Sequence, residues 1–149
     1  MPQIRSKYRV NRVSLIIGSI FPDLLDKTFL FLQIANGRGY FHTFLFTFVS
    51  FLALFLLSKG NKVVSLSFLV GMLFHLILDL PDIPLFYPFV SYNFSYTEPR
   101  LFQWIHTLLT NPVVQITEVI GLTLLIIIVK NNKLLNLDNL INYLKTSTI

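Results

Sequence analysis

Long apolar runs separated by short polar clusters dominate this chain. Two of them, 40–57 ("YFHTFLFTFVSFLALFLL") and 63–80 ("VVSLSFLVGMLFHLILDL"), would each be about 27 Å long as helices, near the thickness of a bilayer's hydrocarbon core. The polar link "SKGNK" between them is short, which predicts an antiparallel helical hairpin. The last and fourth run along the chain, 113–129 ("VVQITEVIGLTLLIIIV"), is closed by "KNNK". The earliest apolar region, 13–35, is less regular. Pro22 removes a backbone donor and Asp23 and Asp26 interrupt the run, so a helix broken near Pro22 is expected, with the break lined by protein rather than lipid. Between the third and fourth runs, 81–112 is rich in Tyr, Phe and Pro and reads as an external loop with aromatic anchors, Trp104 among them. In the tail, 130–149, Leu134, Leu137, Leu140, Ile141 and Leu144 recur at helical spacing, which predicts a short amphipathic helix on the membrane surface.

Composition turns these runs into a solvent argument. Of 149 residues, 54% are apolar and 13% charged, and fifteen are Phe. A water-soluble fold of this size has too little interior to hide that much apolar surface. The expected class is therefore all-α, a polytopic membrane protein of about four transmembrane helices in one membrane-embedded domain spanning 1–149. The basic N-terminus followed by an apolar run imitates a secretion signal, but an acidic pair stands where small cleavage-site residues belong, so no cleavage is expected. The net charge of +5 forms no dense basic face, and nucleic acid is not an expected partner. In membrane proteins Lys and Arg instead record sidedness. With four spans, Arg5, Lys7, Arg9, Arg12, Lys59, Lys62, Lys130, Lys133 and Lys145 share one side, against Lys27, Arg38 and Arg100 on the other. Nine against three predicts a multi-pass protein of the cell membrane with both termini in the cytoplasm. A first region that turned back without crossing would leave seven against five, which discriminates little.

On this topology four segments carry polar side chains to the external layer: Asp23 and Asp26, then His42, then His75 with Asp79 one turn on, then Glu118, with Lys27 and Arg38 in the intervening loop. An ionisable group inside a membrane costs ~2.5–3.5 kcal/mol at mid-depth and less near the interface. A shared divalent cation would offset that cost. There is no Cys, so disulfides and thiolate sites are excluded, and imidazole with carboxylate is ordinary ligation for zinc, manganese or iron. Each residue also has a plainer explanation. Asp23 can cap a helix with Asp26 supporting its first turn. His42 and His106 can be interfacial, and His75 with Asp79 can make a helix-packing hydrogen bond. Glu118 can pair with a cation, and Lys27 and Arg38 can snorkel to headgroups. The coincidence of so many in one layer favours a site.

The stretches "GSIFPDLLDK", "GRGYFHTFLF", "GMLFHLILD" and "LFYPF" occur in this order between Gly18 and Phe89. They carry a PD-x-x-D pattern, an R-G-x-x-H-T pattern, an H-x-x-x-D pattern and a Tyr-Pro-Phe segment. Together they resemble the YdjM-like family of membrane-bound metal-dependent hydrolases, also described as LexA-binding inner membrane proteins; no residue here carries a LexA association. The later "TEVIG" resembles an E-x-x-G element of the same family. Many members have a further His before the first span, where this chain has Asn11 and Arg12. The resemblance implies a metal-assisted hydrolase. Asp23, Asp26, His42, His75 and Asp79 would be the ligand pool for zinc or manganese, and water activated by the cation would attack an ester or phosphoester. Asp26 or Glu118 would act as general base, Lys27 and Arg38 would meet an anionic substrate, and Thr43 would orient a ligand from behind. A site at the external membrane boundary suits a lipid or lipid-linked substrate. The rival is a non-enzymatic membrane protein in which the cluster is a structural metal clip or part of an ion or proton pathway. The inner halves of the second and third runs offer little beyond Thr47, Ser50, Ser65 and Ser67, which ranks a pathway lower.

Overall fold

A computed structural model of the chain describes residues 9–32, 39–80, 83–92 and 100–145. Among these residues there are six helices and no strands: α1 (Arg12–Phe31), α2 (Phe44–Leu57), α3 (Lys62–Leu78), α4 (Arg100–Thr110), α5 (Pro112–Asn131) and α6 (Leu137–Lys145). They fall into two compact units, Met1–Tyr92 with Leu144–Ile149, and Asn93–Tyr143, where the sequence suggests a single domain.

In the first unit α3 is the central element and packs against both α1 and α2. The backbone of α1 comes so close to that of α3 that a Cβ at Gly18 would overlap the Phe68 carbonyl, and one at Gly71 would overlap the Leu15 carbonyl and crowd the Ser19 nitrogen. Small residues at a helix crossing are how apolar helices associate where no water drives them together. The Asn11 N–H also donates to Ser67 Oγ at 2.8 Å. Positions therefore advance together along the two helices, Asn11 beside Ser67 and Leu15 beside Gly71, so α1 and α3 run parallel. The short link from Ser58 to Asn61 reverses the chain between α2 and α3, with Lys59 and Gly60 in the left-handed region (φ 53 and 78) and Asn61 capping α3. This confirms the expected hairpin. The helices α1 and α2 meet through rings, Phe21 against Phe46 at 6.1 Å.

The unit is apolar outside, and its interior combines Phe68, Met72, Leu76 and Ile83 with many polar side chains. Val13, Ile16, Ile17, Ile20 and Leu24 of α1 are exposed, as are Phe44, Leu45, Phe48, Val49 and Leu52 of α2, whereas Asp26, His42, Thr43, Thr47, Ser65 and Ser67 are buried. So extensive an apolar exterior around buried polar groups is not the arrangement of a water-soluble core.

Three expectations change. First, α1 is not broken: it runs through Pro22. The proline forfeits one bond, to the Gly18 carbonyl, and its ring is fully buried on the same stripe as Gly18 and Asp26, so packing on that face holds the helix across the defect. Second, the segment expected as the loop 81–112 contains α4 and, at 85–89, a run of turns. Third, one described helix, α5, is long and apolar enough to cross a membrane by length and composition. At 14 and 17 residues, α2 and α3 would reach roughly 21 and 26 Å, short of ~30 Å of hydrocarbon, and α1 carries Asp23, Asp26 and Lys27.

The second unit is built on α4 and α5 packed together. Asn111 caps α5 and Pro112 opens it, while Gln115 Nε2 donates to the carbonyls of Leu108 and Leu109 (3.2 and 2.8 Å), tying the tight α4–α5 connection. The expected amphipathic helix of the tail is α6, entered through Asn136, whose Oδ1 accepts from Asp138 N–H at 2.9 Å.

Candidate metal centre

The close crossing of α1 and α3 decides where the costly side chains go. On α1, Gly18, Pro22 and Asp26 follow one another at four-residue intervals and all three are buried. On α3, Gly71, His75 and Asp79 are spaced in the same way, with Asp79 as the C-cap. Two helices that touch at Gly18 and Gly71 therefore present Asp23 and Asp26 beside His75 and Asp79 one to two turns further on.

His42 arrives from a third segment. It precedes Thr43, the N-cap of α2. The Thr43 hydroxyl accepts from Phe46 N–H at 3.0 Å and donates to the Tyr40 carbonyl at 3.1 Å. The next backbone N–H, of Phe44, donates to the Leu85 carbonyl at 2.9 Å, and rings reinforce the seam: Tyr40 on Tyr87 at 5.4 Å and Phe44 on Phe86 at 5.6 Å. The residues 83–90, with Ile83 buried, thus clamp the turn that carries His42. The segment, expected as external loop with aromatic anchors, instead uses those rings to hold the turn of His42; the Tyr-Pro-Phe pattern was its one signal of a link to the site.

Four donors converge. His42 Nε2 lies 3.1 Å from His75 Nε2, 3.4 Å from Asp23 Oδ1 and 3.4 Å from Asp79 Oδ2. His75 Nε2 lies 3.6 Å from Asp79 Oδ2 and 3.9 Å from Asp23 Oδ1. One donor atom from each of these four residues falls within 4.8 Å of all the others. Oxygen and nitrogen donors about 2.0–2.2 Å from a tetrahedral ion stand roughly 3.3–3.6 Å apart; the separations of 3.1–3.9 Å bracket that range, and the widest spacing in the set, within 4.8 Å, would close on a bound cation. The chemistry of the set agrees. Two carboxylates and two imidazoles, with the Nε2 atoms facing each other, suit a positive charge between them; with both rings neutral and unprotonated at Nε2, that charge is a cation's.

The remaining expected residues divide. Asp26 is beside the cluster but on its far side: its Oδ2 lies 2.6 Å from His42 Nδ1, away from the four converging atoms, so it stands outside the ligand set the sequence predicts for it. The contact departs from ideal hydrogen-bond geometry, yet neither buried atom has another hydrogen-bond partner among the described residues. Lys27 pairs with Asp23 Oδ2 at 2.8 Å, and its side chain is 74% exposed. Thr43 spends its hydroxyl on the backbone, holding the turn rather than a ligand. Glu118 is on α5, in the second unit. Arg38, like Arg5 and Lys7 of the charge count, lies outside the described residues. His106, expected at an interface, is exposed on α4, with its carbonyl accepting from the Thr110 hydroxyl at 2.7 Å.

No curated protein and no solved structure matches the chain. A family model does, that of the YdjM inner membrane protein, over residues 2–135. That match takes in α1 to α5 and every residue of the cluster, and the chain belongs to the YdjM inner membrane protein family.

Proposed function

We propose that this protein is a membrane-bound, metal-dependent hydrolase acting on an ester or phosphoester of a lipid or lipid-linked substrate. The observation that carries the proposal is the convergence of Asp23, Asp26-backed His42, His75 and Asp79 from three segments at separations suited to one cation. Zinc or manganese matches the donor types. Such a cation, when bound, supplies the positive charge that makes water a competent nucleophile near neutral pH. The cluster is not sealed: the Asp23 side chain keeps 36% and that of Asp79 22% of its exposure, and a catalytic centre needs such an opening where a structural one does not. Lys27 stands at that opening beside Asp23 and would meet an anionic group on the substrate, with Arg38 as its proposed companion.

In the same proposal α1, α2, α3 and α5 cross the membrane. The parallel course of α1 and α3 puts Arg9, Arg12, Lys59 and Lys62 at one end of the first unit and the acid–imidazole cluster at the other. Basic residues favour the cytoplasmic side, so both termini would be cytoplasmic and the site would face outward.

Detergent-purified protein supplied with Zn²⁺ or Mn²⁺ should cleave at least one member of a lipid phosphoester panel, and His75→Ala and Asp79→Asn should lose both bound metal and turnover. Full activity in either variant would refute the assigned roles. A structural clip is the second reading, favoured by the complete burial of His42. It predicts a metal that raises the melting temperature strongly in a protein without turnover.

A further inference from the structure

We infer that Asp26 is a positioning residue: its carboxylate holds the Nδ1 proton of His42 and so presents the Nε2 lone pair to the donor set, without ligating the cation itself. The inference rests on the metal-binding half of the proposed function and does not depend on hydrolysis.

Three observations converge on it. Asp26 is only 4% exposed and His42 not at all, so neither can be satisfied by bulk water. The two atoms that meet, Asp26 Oδ2 and His42 Nδ1, are 2.6 Å apart in a geometry that departs from an ideal hydrogen bond, and among the described residues neither makes a hydrogen bond to any other group. A buried carboxylate oxygen needs a donor, and Nδ1–H is the donor at hand. The third observation is what the other nitrogen does. His42 Nε2 is the atom nearest to all three remaining donors, at 3.1 to 3.4 Å. A neutral imidazole carries one proton. Fixing it on Nδ1 leaves Nε2 as an acceptor, which is the form a cation requires. Carboxylates placed behind metal-binding imidazoles act in this way, and losing one typically lowers metal affinity about 10–100-fold.

The local sequence makes the arrangement economical. Asp23 and Asp26 are three residues apart on α1, so one helical turn delivers both a direct donor and the carboxylate behind its neighbour. His42 then sits between the two acids, with Nε2 toward Asp23 and Nδ1 toward Asp26.

The test uses the full chain in detergent with Co²⁺ as a spectroscopic probe. Affinity should fall in the order wild type, Asp26→Asn, Asp26→Ala, the last by about 10–100-fold, because Asn keeps an acceptor oxygen but not the charge. The visible absorption bands of the cobalt-loaded variants should match those of the wild type, since the four donors are unchanged. Bands that shift as for a lost oxygen ligand would overturn the inference, and so would wild-type affinity in Asp26→Ala. Nitrogen NMR of ¹⁵N-histidine in the metal-free protein, at a pH high enough to leave the His42 ring neutral, reads the same point without metal. His42 should carry its proton on Nδ1 in the wild type and in Asp26→Asn, and move toward the Nε2-protonated form in Asp26→Ala. A wild-type His42 protonated on Nε2 would refute the inference. Failure of the wild type to take up cobalt would sink the metal reading, while the NMR result still decides the Asp26–His42 contact.

Discussion

His42 has no exposed surface and faces carboxylates through both ring nitrogens, whereas His75, also a donor, keeps 13% of its side chain exposed. The two should therefore fail differently. Removing His42 strands Asp26 in a buried position with nothing to satisfy it, a defect that typically costs about 3–5 kcal/mol. His42→Ala is expected to lower the thermal midpoint of the metal-free protein in detergent, measured by circular dichroism, while His75→Ala loses metal with little change in that midpoint. Equal metal-free midpoints for the two would contradict the burial argument. At this scale the sequence showed which residue types gather, since "HLILD" and "PDLLD" have the spacing of one helix face. It did not show which side of the His42 ring each acid would take. That depends on ring rotation, fixed by the seam between residues 39–44 and 83–90, far from either acid in sequence. Thr43 was misread: expected to orient a ligand from behind, it spends its hydroxyl as the N-cap of α2.

Among the elements, the α1–α3 crossing controls the centre, because it sets the distance from Asp23 to His75 without either residue's help. A side chain at Gly18 or Gly71 would meet backbone atoms, which cannot rotate away. Gly71→Val should push the helices apart, cost about 1–3 kcal/mol as overpacking does, and weaken metal uptake although no donor is touched. Gly121→Ala is the matched control. Nothing lies within 4 Å of a Cβ there, and Ala is the better helix former by ~1 kcal/mol, so that variant should be at least as stable as the parent by thermal melting. Comparable loss in both would show that α1 and α3 do not depend on close contact. Apolar periodicity disclosed α2, α3, α5 and α6 well, because each is a long run or a clear stripe. Pro22 was misleading, since a proline's local cost is plain in the sequence and the packing that offsets it is not. Residues 100–110 were hidden for a different reason: six of the eleven are apolar, but the helix is short and follows a stretch dense with aromatics and prolines that imitates a loop.

Across the whole molecule, sidedness is the property most open to test, and the chain is suited to it because it contains no cysteine. The first unit places Lys62 at the start of α3 and Lys27 at the opposite end, beside the acid–imidazole cluster. Both positions are exposed. If the basic end is cytoplasmic, a single Lys27→Cys variant should react with a membrane-impermeant maleimide added to cells with permeabilised outer layers. Lys62→Cys should react only after the inner membrane is opened. Reaction of both before opening would mean that α1 to α3 lie on the surface rather than across it, which their modest lengths make a real alternative. Reaction of Lys62→Cys alone would invert the protein and turn the cluster toward the cytoplasm. The charge distribution argues for the first outcome. A unit with an apolar exterior would gain from lipid on all sides, and a four-residue basic cluster at one end would set its orientation at insertion. The acids at the other end need no compensating basic loop if a cation neutralises them where they converge.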